Sequence, residues 1–517
     1  MSEDFFLRYE YKVKKLEDLK KILNQKSKNK KIILCHGHFD VVHPGHIRHL
    51  SYAKSKADIL IVSLTADKYV SKGIYRPHVP EYLRALNIAA FEMVDYVYID
   101  NNSKPLKLIK NVKPDFFAKG FEYTSKGLPQ ASEEELKLVE SYGGKMIFTP
   151  GDVVYSSSKF IESSFPKLEL EKLILLMKKN KITFDLLKKT LNKFSKFSIH
   201  VIGDLIIDIH TKTALIGGQT KTPTISVLFE NEKKYIGGAG IVAQHLKAAG
   251  ANVIFTTVLG NDHLKDFVID QFKKSKIKIN AVIDNTRPTT SKNSIINNDY
   301  RLLKIDTLDN QPISESIKNK IKKFILSYKN NNAVIFSDFR HGIFNKSSIE
   351  FFANAIPKKI VKIADSQVAS RWGNITEFKN FDLITPNERE ARFSLADQDS
   401  SISHLSRKLL DKTECKNLIL KLGNKGLFSV FKNKKDEQSF HISSFANRVV
   451  DPVGSGDALL AYSTLALLAS HSLVEASIIG AIAAACECEL DGNIPISLDN
   501  VIKKINDIEK NAQYQIK

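Results

Sequence analysis

Two clusters of residues in this chain have the types and spacing to handle phosphorus. The first runs Cys35-His-Gly-His-Phe-Asp-Val-Val-His-Pro-Gly-His46. An apolar run, Ile32 to Leu34, precedes it and reads as a buried strand, and a helical pattern follows from His46 to Lys54. Gly37 at such a strand-to-helix turn lets backbone approach a phosphate closely, and the helix start offers free N–H groups to it. His43 and His46, three apart, can both reach one bound triphosphate. Imidazolium donors suit the charge that builds on a pentacoordinate phosphorus and a departing pyrophosphate. A basic loop without chemistry and a metal site also fit two histidines at this spacing; the Gly37-x-Phe39-Asp40 turn directly ahead of them favours nucleotidyl transfer. The second cluster is Asp451-Pro-Val-Gly-Ser-Gly-Asp457, ahead of the apolar helical stretch Ala458–Ala469. Gly454, Ser455 and Gly456 there expose successive N–H donors, an anion hole for a transferring phosphoryl group, and Asp457 can take a proton from a hydroxyl poised in line. A helix-capping aspartate after a glycine turn explains the isolated heptapeptide equally well.

The elements that must carry these clusters alternate. After a lead-in helix around Leu16–Leu23 come a strand at 31–35, a helix to about 56, the strand Ile59–Leu64, the helix Arg84–Met93 and the strand Val94–Tyr98. Phe116–Ala118 and Met146–Thr149 supply two more strands. Strands alternating with helices predict a parallel sheet covered on both faces, with ligands at the carboxyl ends of the strands, where His43, His46 and Ser156–Ser158 fall. From Phe160 to about Lys196 the pattern becomes lysine-rich and helical, which marks a boundary: a first domain at 1–165, a helical linker at 166–196 and a second domain at 197–517. The second opens with one strand, His200–Asp208, continues through the glycine cluster Gly237–Gly240 and the strand region Ala251–Asp262, and ends with the Asp457 helix. The glycine cluster alone is equally explained by tight packing. The fold class expected is α/β in two domains.

Length and composition agree. A chain of 517 residues exceeds one ordinary domain, and 43% hydrophobic with 26% charged residues suits soluble globular protein. The net charge, 77 − 57 = +20, attracts phosphate-bearing partners. The lysines are scattered in short groups without a basic tail or interleaved aromatics, which argues for solvated faces and anionic small substrates over nucleic acid. Cys35, Cys415, Cys486 and Cys488 lack paired zinc-site spacing and read as reduced thiols. The first residues carry no secretory pattern, and the most apolar window, Leu459–Leu473, is too short and mixed to span a bilayer. A cytoplasmic location without membrane partners is expected.

The first cluster resembles the signature of the cytidylyltransferase-like nucleotidyltransferases: Gly37-His-Phe39-Asp40 followed by His43-Pro-Gly-His46. Lys72-Gly73 with Arg76-Pro77 is similar to that family's KGxxRP segment, Arg84 falls where its next helix carries an arginine, and Pro114-Asp115 with Lys119-Gly120 resembles its PDxxxKG stretch. Ser156, Ser157 and Ser158 stand at its nucleotide-binding hydroxyl triplet, without the arginine that several relatives keep just upstream. The resemblance covers roughly 28–165 and implies a Rossmann-like domain. In it His43 and His46 stabilise the triphosphate, Lys72 and Arg84 neutralise substrate phosphates, and Gly37, Phe39, Asp40 and Ser156–Ser158 hold the nucleotide.

The second cluster resembles the GAGD signature of the ribokinase-like (PfkB-type) sugar kinases. Gly237-Gly238-Ala239 is similar to that family's GGAxN element, Asn387-x-x-Glu390 to its NxxE element, and Lys421-Leu-Gly423-Asn-Lys-Gly426 to its TxGxxG segment. Arg287–Lys292 and Arg301–Asp306 are similar to stretches of the heptose-7-phosphate kinase branch. The likeness, over about 197–510, implies an α/β sandwich with a small β lid and magnesium-bound ATP. Asp457 is then the general base, and Gly454, Ser455 and Gly456 form the anion hole. Asn387 and Glu390 organise magnesium, Lys421, Gly423 and Gly426 lie on the nucleotide side, and Asp204, Asp208, Gly237, Gly238 and Lys292 lie against the sugar. Three positions depart from the pattern: Ile241 replaces the asparagine, Pro452 a threonine, and Phe339-Arg-His-Gly342 stands where the heptose branch carries a lysine. Lys72, Asp208 and Lys292 are equally compatible with solvated charges. The pair of domains resembles the family joining a heptose-7-phosphate kinase to a heptose-1-phosphate adenylyltransferase, with the order reversed. A kinase joined to a cytidylyltransferase for a polyol or another surface-glycan sugar is the alternative. Related sugar kinases often form homodimers, and the resemblance carries that expectation too.

Overall fold

The computed structural model describes residues 5–25, 30–70, 76–120, 130–149, 169–217, 225–298, 300–367, 374–432, 437–490 and 492–516. Lys72 and Ser156–Ser158 lie outside them. The chain divides into two compact units, Met1–Leu168 with Asp399–His404, and the remainder.

The first unit is built on five parallel strands: β1 (Ile32–Gly37), β2 (Ile59–Thr65), β3 (Tyr96–Asp100), β4 (Phe116–Gly120) and β5 (Lys145–Thr149). Their order is β3-β2-β1-β4-β5. The chain therefore winds outward from β1 in one direction and then from β4 in the other, leaving a switch point between β1 and β4 where ligands bind in such sheets. Ile32, Ile33, Leu34 and Cys35 are buried on both faces of β1, as a central parallel strand requires. Helix Pro44–Lys54 follows β1, with Pro44 at its first position, where the missing N–H costs nothing.

In the second unit the main sheet contains nine strands among the described residues. They are β6 (Ser198–Gly203), β9 (Asn252–Leu259), β10 (Lys278–Ile283), β13 (Ala333–Asp338), β14 (Val361–Ser366), β15 (Leu383–Ile384), β16 (Asn417–Lys421), β17 (Leu427–Lys432) and β18 (Glu437–Ile442). Their order is β10-β9-β6-β13-β14-β15-β16-β17-β18, parallel except at the β16-β17-β18 end. Two buried helices, Ser455–Ser470 and Leu473–Cys488, pack in its core. A separate four-stranded sheet, the lid, has the order β12-β11-β7-β8: β7 (Leu205–Gly217), β8 (Ser226–Gly238), β11 (Ser291–Asn297) and β12 (Tyr300–Thr307).

Two sequence expectations change. The single strand His200–Asp208 is two strands in two sheets, divided at Asp204: β6 ends in the core and β7 begins the lid. Residues 169–196 of the expected linker group with the second unit. Their helices Glu169–Lys179 and Phe184–Leu191 bury Leu173, Met177, Leu187 and Leu191, with Phe194 beyond them, in the core of the second unit. Each such side chain contributes about 1.5–3 kcal/mol when fully buried, which a connecting segment would forfeit.

Candidate functional sites

At the carboxyl end of β1, His43 caps the Pro44–Lys54 helix by accepting at Nδ1 from the Gly45 N–H (3.1 Å). The His43 and His46 rings stack at 3.9 Å, and the Phe39 ring closes on His46 at 5.0 Å. Phe39 sits at φ +46°, and a Cβ on Gly37 would press its ring, so the two residues shape one tight turn. The structure thus brings Gly37, Phe39, His43 and His46 together. Burial first, then the neighbouring His43 and His49, push the His46 pKa down to about 4. The expected imidazolium is therefore a neutral ring in the ligand-free chain. A bound triphosphate opposes that shift by supplying anionic charge. His49, one further step of three along the same helix, faces Thr149 (Nδ1 to Oγ1 2.8 Å) at the end of β5; the repeated His-x-x-His spacing could have identified it.

Two expected nucleotide contacts serve the scaffold instead. Asp40 Oδ1 accepts from the N–H groups of His78 (2.7 Å) and Val79 (2.9 Å), tying the turn to the segment after Arg76. Arg84, expected to neutralise substrate phosphate, is wholly buried in the ligand-free chain. Its guanidinium donates to the carbonyls of Val79 (2.9 Å), Thr65 (2.8 Å) and His38, and to Asp67 Oδ1 (2.6 Å). It holds the ends of the β1 and β2 loops together, and the rigid fork geometry of arginine suits that task.

In the second unit the site lies along the carboxyl edge of the main sheet. Gly454 adopts φ +87° at the start of the Ser455–Ser470 helix, a left-handed turn that favours glycine. Asp457 stands in the first turn, buried, with Oδ1 unpartnered among the described residues. Burial raises its pKa well above the carboxylate range, Asp365, Asp208 and Glu487 raise it further, and Lys421 opposes them. A carboxylate kept basic in this way suits proton abstraction. Lys421, expected on the nucleotide side, is a buried ammonium bonded to both oxygens of Asp365 (2.9 and 3.0 Å). Burial works to lower its pKa, but Asp365, Glu390 and Asp457 outweigh that and raise it. Gly423 and Gly426 bracket the short turn after it, and space is open where a side chain on Gly423 would stand.

Asn387 and Glu390 form a reciprocal capping box. Asn387 Oδ1 accepts from the Glu390 N–H (2.9 Å), while the two Glu390 oxygens accept from the Asn387 N–H (2.7 Å) and Nδ2 (2.6 Å). Both Glu390 oxygens are thus taken by Asn387 and both Asp365 oxygens by Lys421, and among the described residues no group of three or more acidic, histidine or cysteine side chains is placed to hold a metal ion.

The acceptor side is assembled from lid and core. Asp208 on β7 pairs in register with Lys292 on β11, and Lys292 with Asp306 on β12. Asp208 is raised by burial, against which Lys292, Lys304 and His210 act. Burial lowers Lys292, as does Lys304. On β12, Arg301 lies 4.0 Å from Asp451 of the anion-hole loop. Gly237 must be glycine, because a Cβ there would collide with Asp208 Oδ2, and Gly238 turns at φ +58° beside the Asp204 carbonyl. Asp204, expected against the sugar, accepts from the N–H groups of Phe339 (3.1 Å), His341 (3.2 Å) and Ile343 (3.4 Å). It builds the wall of the site from the 339–343 loop.

Sequence reasoning missed Asp365, Glu487 and Asn493. Asp365 ends the apolar strand β14, a readable signal. Glu487 is one of two acids in an apolar helix, 1% exposed, with its pKa pushed up to about 8 by burial against a backbone hydrogen bond from Ile494. Asn493 follows an ordinary-looking turn and carried no signal.

A family model described as pfkB family carbohydrate kinase matches residues 196–499, and one described as cytidylyltransferase-like matches residues 34–163. Among curated proteins the chain is similar to the bifunctional protein HldE of Campylobacter jejuni subsp. doylei, at 45% identity over 157 residues, 30% of this chain and 32% of that one. It is also similar to the bifunctional protein HldE of Geobacter metallireducens, at 39% over 138 residues, 26% of this chain and 27% of that one. The chain spans about a third of the length of these relatives. The crystal structure of phosphofructokinase-2 from Escherichia coli in complex with substrates and products superposes on 60% of this chain and 99% of its own, with TM-score 0.51 and 15% identity, a likeness of fold. Among the described residues, no helix is long and apolar enough to cross a membrane.

Proposed function

Because the chain belongs to the pfkB family of carbohydrate kinases, we propose that its second unit moves the γ-phosphoryl group of ATP onto the anomeric hydroxyl of a sugar phosphate, heptose 7-phosphate. The observation that carries this is Asp457, buried at a helix start behind Gly454–Gly456 with a carboxylate oxygen lacking any partner among the described residues. Asp457 takes the hydroxyl proton as the sugar oxygen bonds to phosphorus, the bond from phosphorus to the β-phosphate oxygen breaks, and ADP leaves. The N–H groups of Gly454–Gly456 meet the transferring oxygens. In this reading Asn387 and Glu390 would organise the magnesium ion that accompanies ATP, an ion that would supply neutralisation of phosphate charge. Asp208 and Lys292 face the sugar. The test is acceptor-dependent ADP formation across a panel of sugar phosphates. Asp457→Asn is expected to lower kcat by about 10²–10⁴ while ATP still binds; unchanged kcat refutes the assignment.

The first unit then couples a sugar 1-phosphate to a nucleotide after a separate phosphatase has removed the distal phosphate. The phosphate oxygen attacks the α-phosphorus, pyrophosphate leaves, and an ADP-heptose-type product forms. His43 and His46 stabilise the triphosphate, supported by their stacked placement at the end of β1; Lys72 and Ser156–Ser158 join them in this reading. The cytidylyltransferase-like match favours a second reading in which CTP is the donor. Pyrophosphate release with ATP and CTP, each against heptose 1-phosphate and polyol phosphates, decides between the two. His46→Ala is expected to abolish release.

A further inference from the structure

One side chain joins the two halves of the kinase site. The Asn493 Nδ2 donates to Asp208 Oδ2 on the lid strand β7 (3.0 Å). Its Oδ1 is buried without a hydrogen-bond partner among the described residues. A Cβ on Gly454 would collide with that oxygen and stand 2.9 Å from Glu487 Oε1. A Cβ on Gly237, at the other end of the slot, would collide with Asp208 and lie 3.3 Å from Asn493 Nδ2. Two glycines of the site thus lack side chains where Asp208 and Asn493 need the room. The loop holding Asn493 is anchored nearby: the Ile496 N–H donates to His245 Nδ1 (3.1 Å), and Tyr462 Oη donates to the Ile496 carbonyl (2.8 Å). Ile241, by contrast, is fully buried in the core.

We propose that Asn493 is a positioning residue of the kinase: its amide N–H fixes the Asp208 carboxylate against the acceptor, while its Oδ1 packs against the turn at Gly454. This rests on the kinase reading above. The amide N–H satisfies one lone pair of Asp208 and aims the rest of the carboxylate at a sugar hydroxyl. A hydrogen bond to a charged group contributes about 1.5–3 kcal/mol, so its loss appears as roughly a tenfold or larger rise in acceptor KM. Lys292 on β11, Lys304 on β12 and His210 on β7 also face Asp208 and hold its charge. Asn493 is one contributor among them.

The test compares wild type with Asn493→Ala and Asn493→Asp in acceptor-dependent ADP formation, varying acceptor and ATP separately across pH. Both variants are expected to raise acceptor KM at least tenfold and to leave ATP KM within twofold. In Asn493→Ala the acidic limb of kcat/KM for the acceptor is expected to move to higher pH, because Asp208 has lost a donor that favours its ionised form. Equal rises in both KM values, or an unmoved limb, overturn the proposal, since a merely structural loss acts at every pH. If wild type phosphorylates no sugar phosphate, the kinase reading falls instead. Titration of the Asp208 carboxyl by ¹³C NMR then decides the role of Asn493: a pKa higher in Asn493→Ala than in wild type supports it, and equal values overturn it.

Discussion

Replacing Glu487 with glutamine isolates a strongly perturbed acid beside the Gly454 turn. Glu487 is 1% exposed, and burial raises its pKa from 4.5 to about 8. The folded chain therefore keeps a proton that the unfolded chain releases, and stability falls as pH rises through the window from about 4.5 to about 8. The difference is 8 − 4.5 = 3.5 units, and at 1.36 kcal/mol per unit the full cost is about 5 kcal/mol above pH 8 and roughly 3 at pH 7. Below about pH 4.5 no cost remains. Glutamine does not titrate, although its buried amide carries a constant penalty of about 1–3 kcal/mol if unpaired. The stability of Glu487→Gln relative to wild type is thus expected to rise by several kcal/mol between pH 5 and pH 8. The assay is urea unfolding of both full-length proteins at pH 5, 6, 7 and 8, following the transition that the substitution shifts. A difference that stays flat across this range refutes the reasoning, because it means that Glu487 ionises as an ordinary surface acid.

Other perturbations follow from the same geometry. Lys421→Met leaves the buried Asp365 without its ammonium and is expected to cost about 3–5 kcal/mol. Adding Asp365→Asn should recover part of that loss, as read by unfolding midpoints. Arg84→Ala removes donors from three carbonyls and Asp67 and should destabilise the first unit by about 3–5 kcal/mol. Arg84→Lys should restore less than half, since one ammonium cannot span the fork. In ligand-free protein the His46 ring should titrate near 4 by NMR and rise by more than one unit when ATP is added; titration near 6.5 without nucleotide would contradict its burial. Because its folded pKa is depressed, His46 should also weaken the fold as pH falls from 6.5 towards 4.

What was legible in the sequence follows from how local each feature is. The turns at Gly37–His46 and Gly454–Asp457 could be read directly, because a phosphate-binding turn is made by consecutive residues between a strand and a helix or at a helix start. The alternation around β1, β2 and β4 likewise predicted their parallel pairing. The helices at 169–191 misled because their lysines are conspicuous, while the stripe Leu173, Met177, Leu187 that decides their burial is short. The break at Asp204 could not be read, since β6 and β7 are both apolar. It is set by distant backbone: three N–H groups from 339–343 claim the Asp204 carboxylate and turn the chain out of the main sheet.

That break explains why the acceptor site had to be assembled from remote residues. Once β7 leaves the core at Asp204, Asp208 rides on the lid, whereas Asp457 stays with the buried helices of the main sheet. If Asp457 is the general base and Asp208 the acid that faces the sugar, as proposed, their separate layers need a connection that neither layer supplies locally. Asn493 makes it across 285 positions of sequence, and Lys421 links Asp365 to the nucleotide side across 56. Each closes a long loop through one side chain, so each is invisible to periodicity. Arg84 does the same for the first unit by fastening β1 and β2 loop ends from within. In both units the residues proposed to meet phosphate come from short turns, and the residues that hold those turns in register come from elsewhere in the fold.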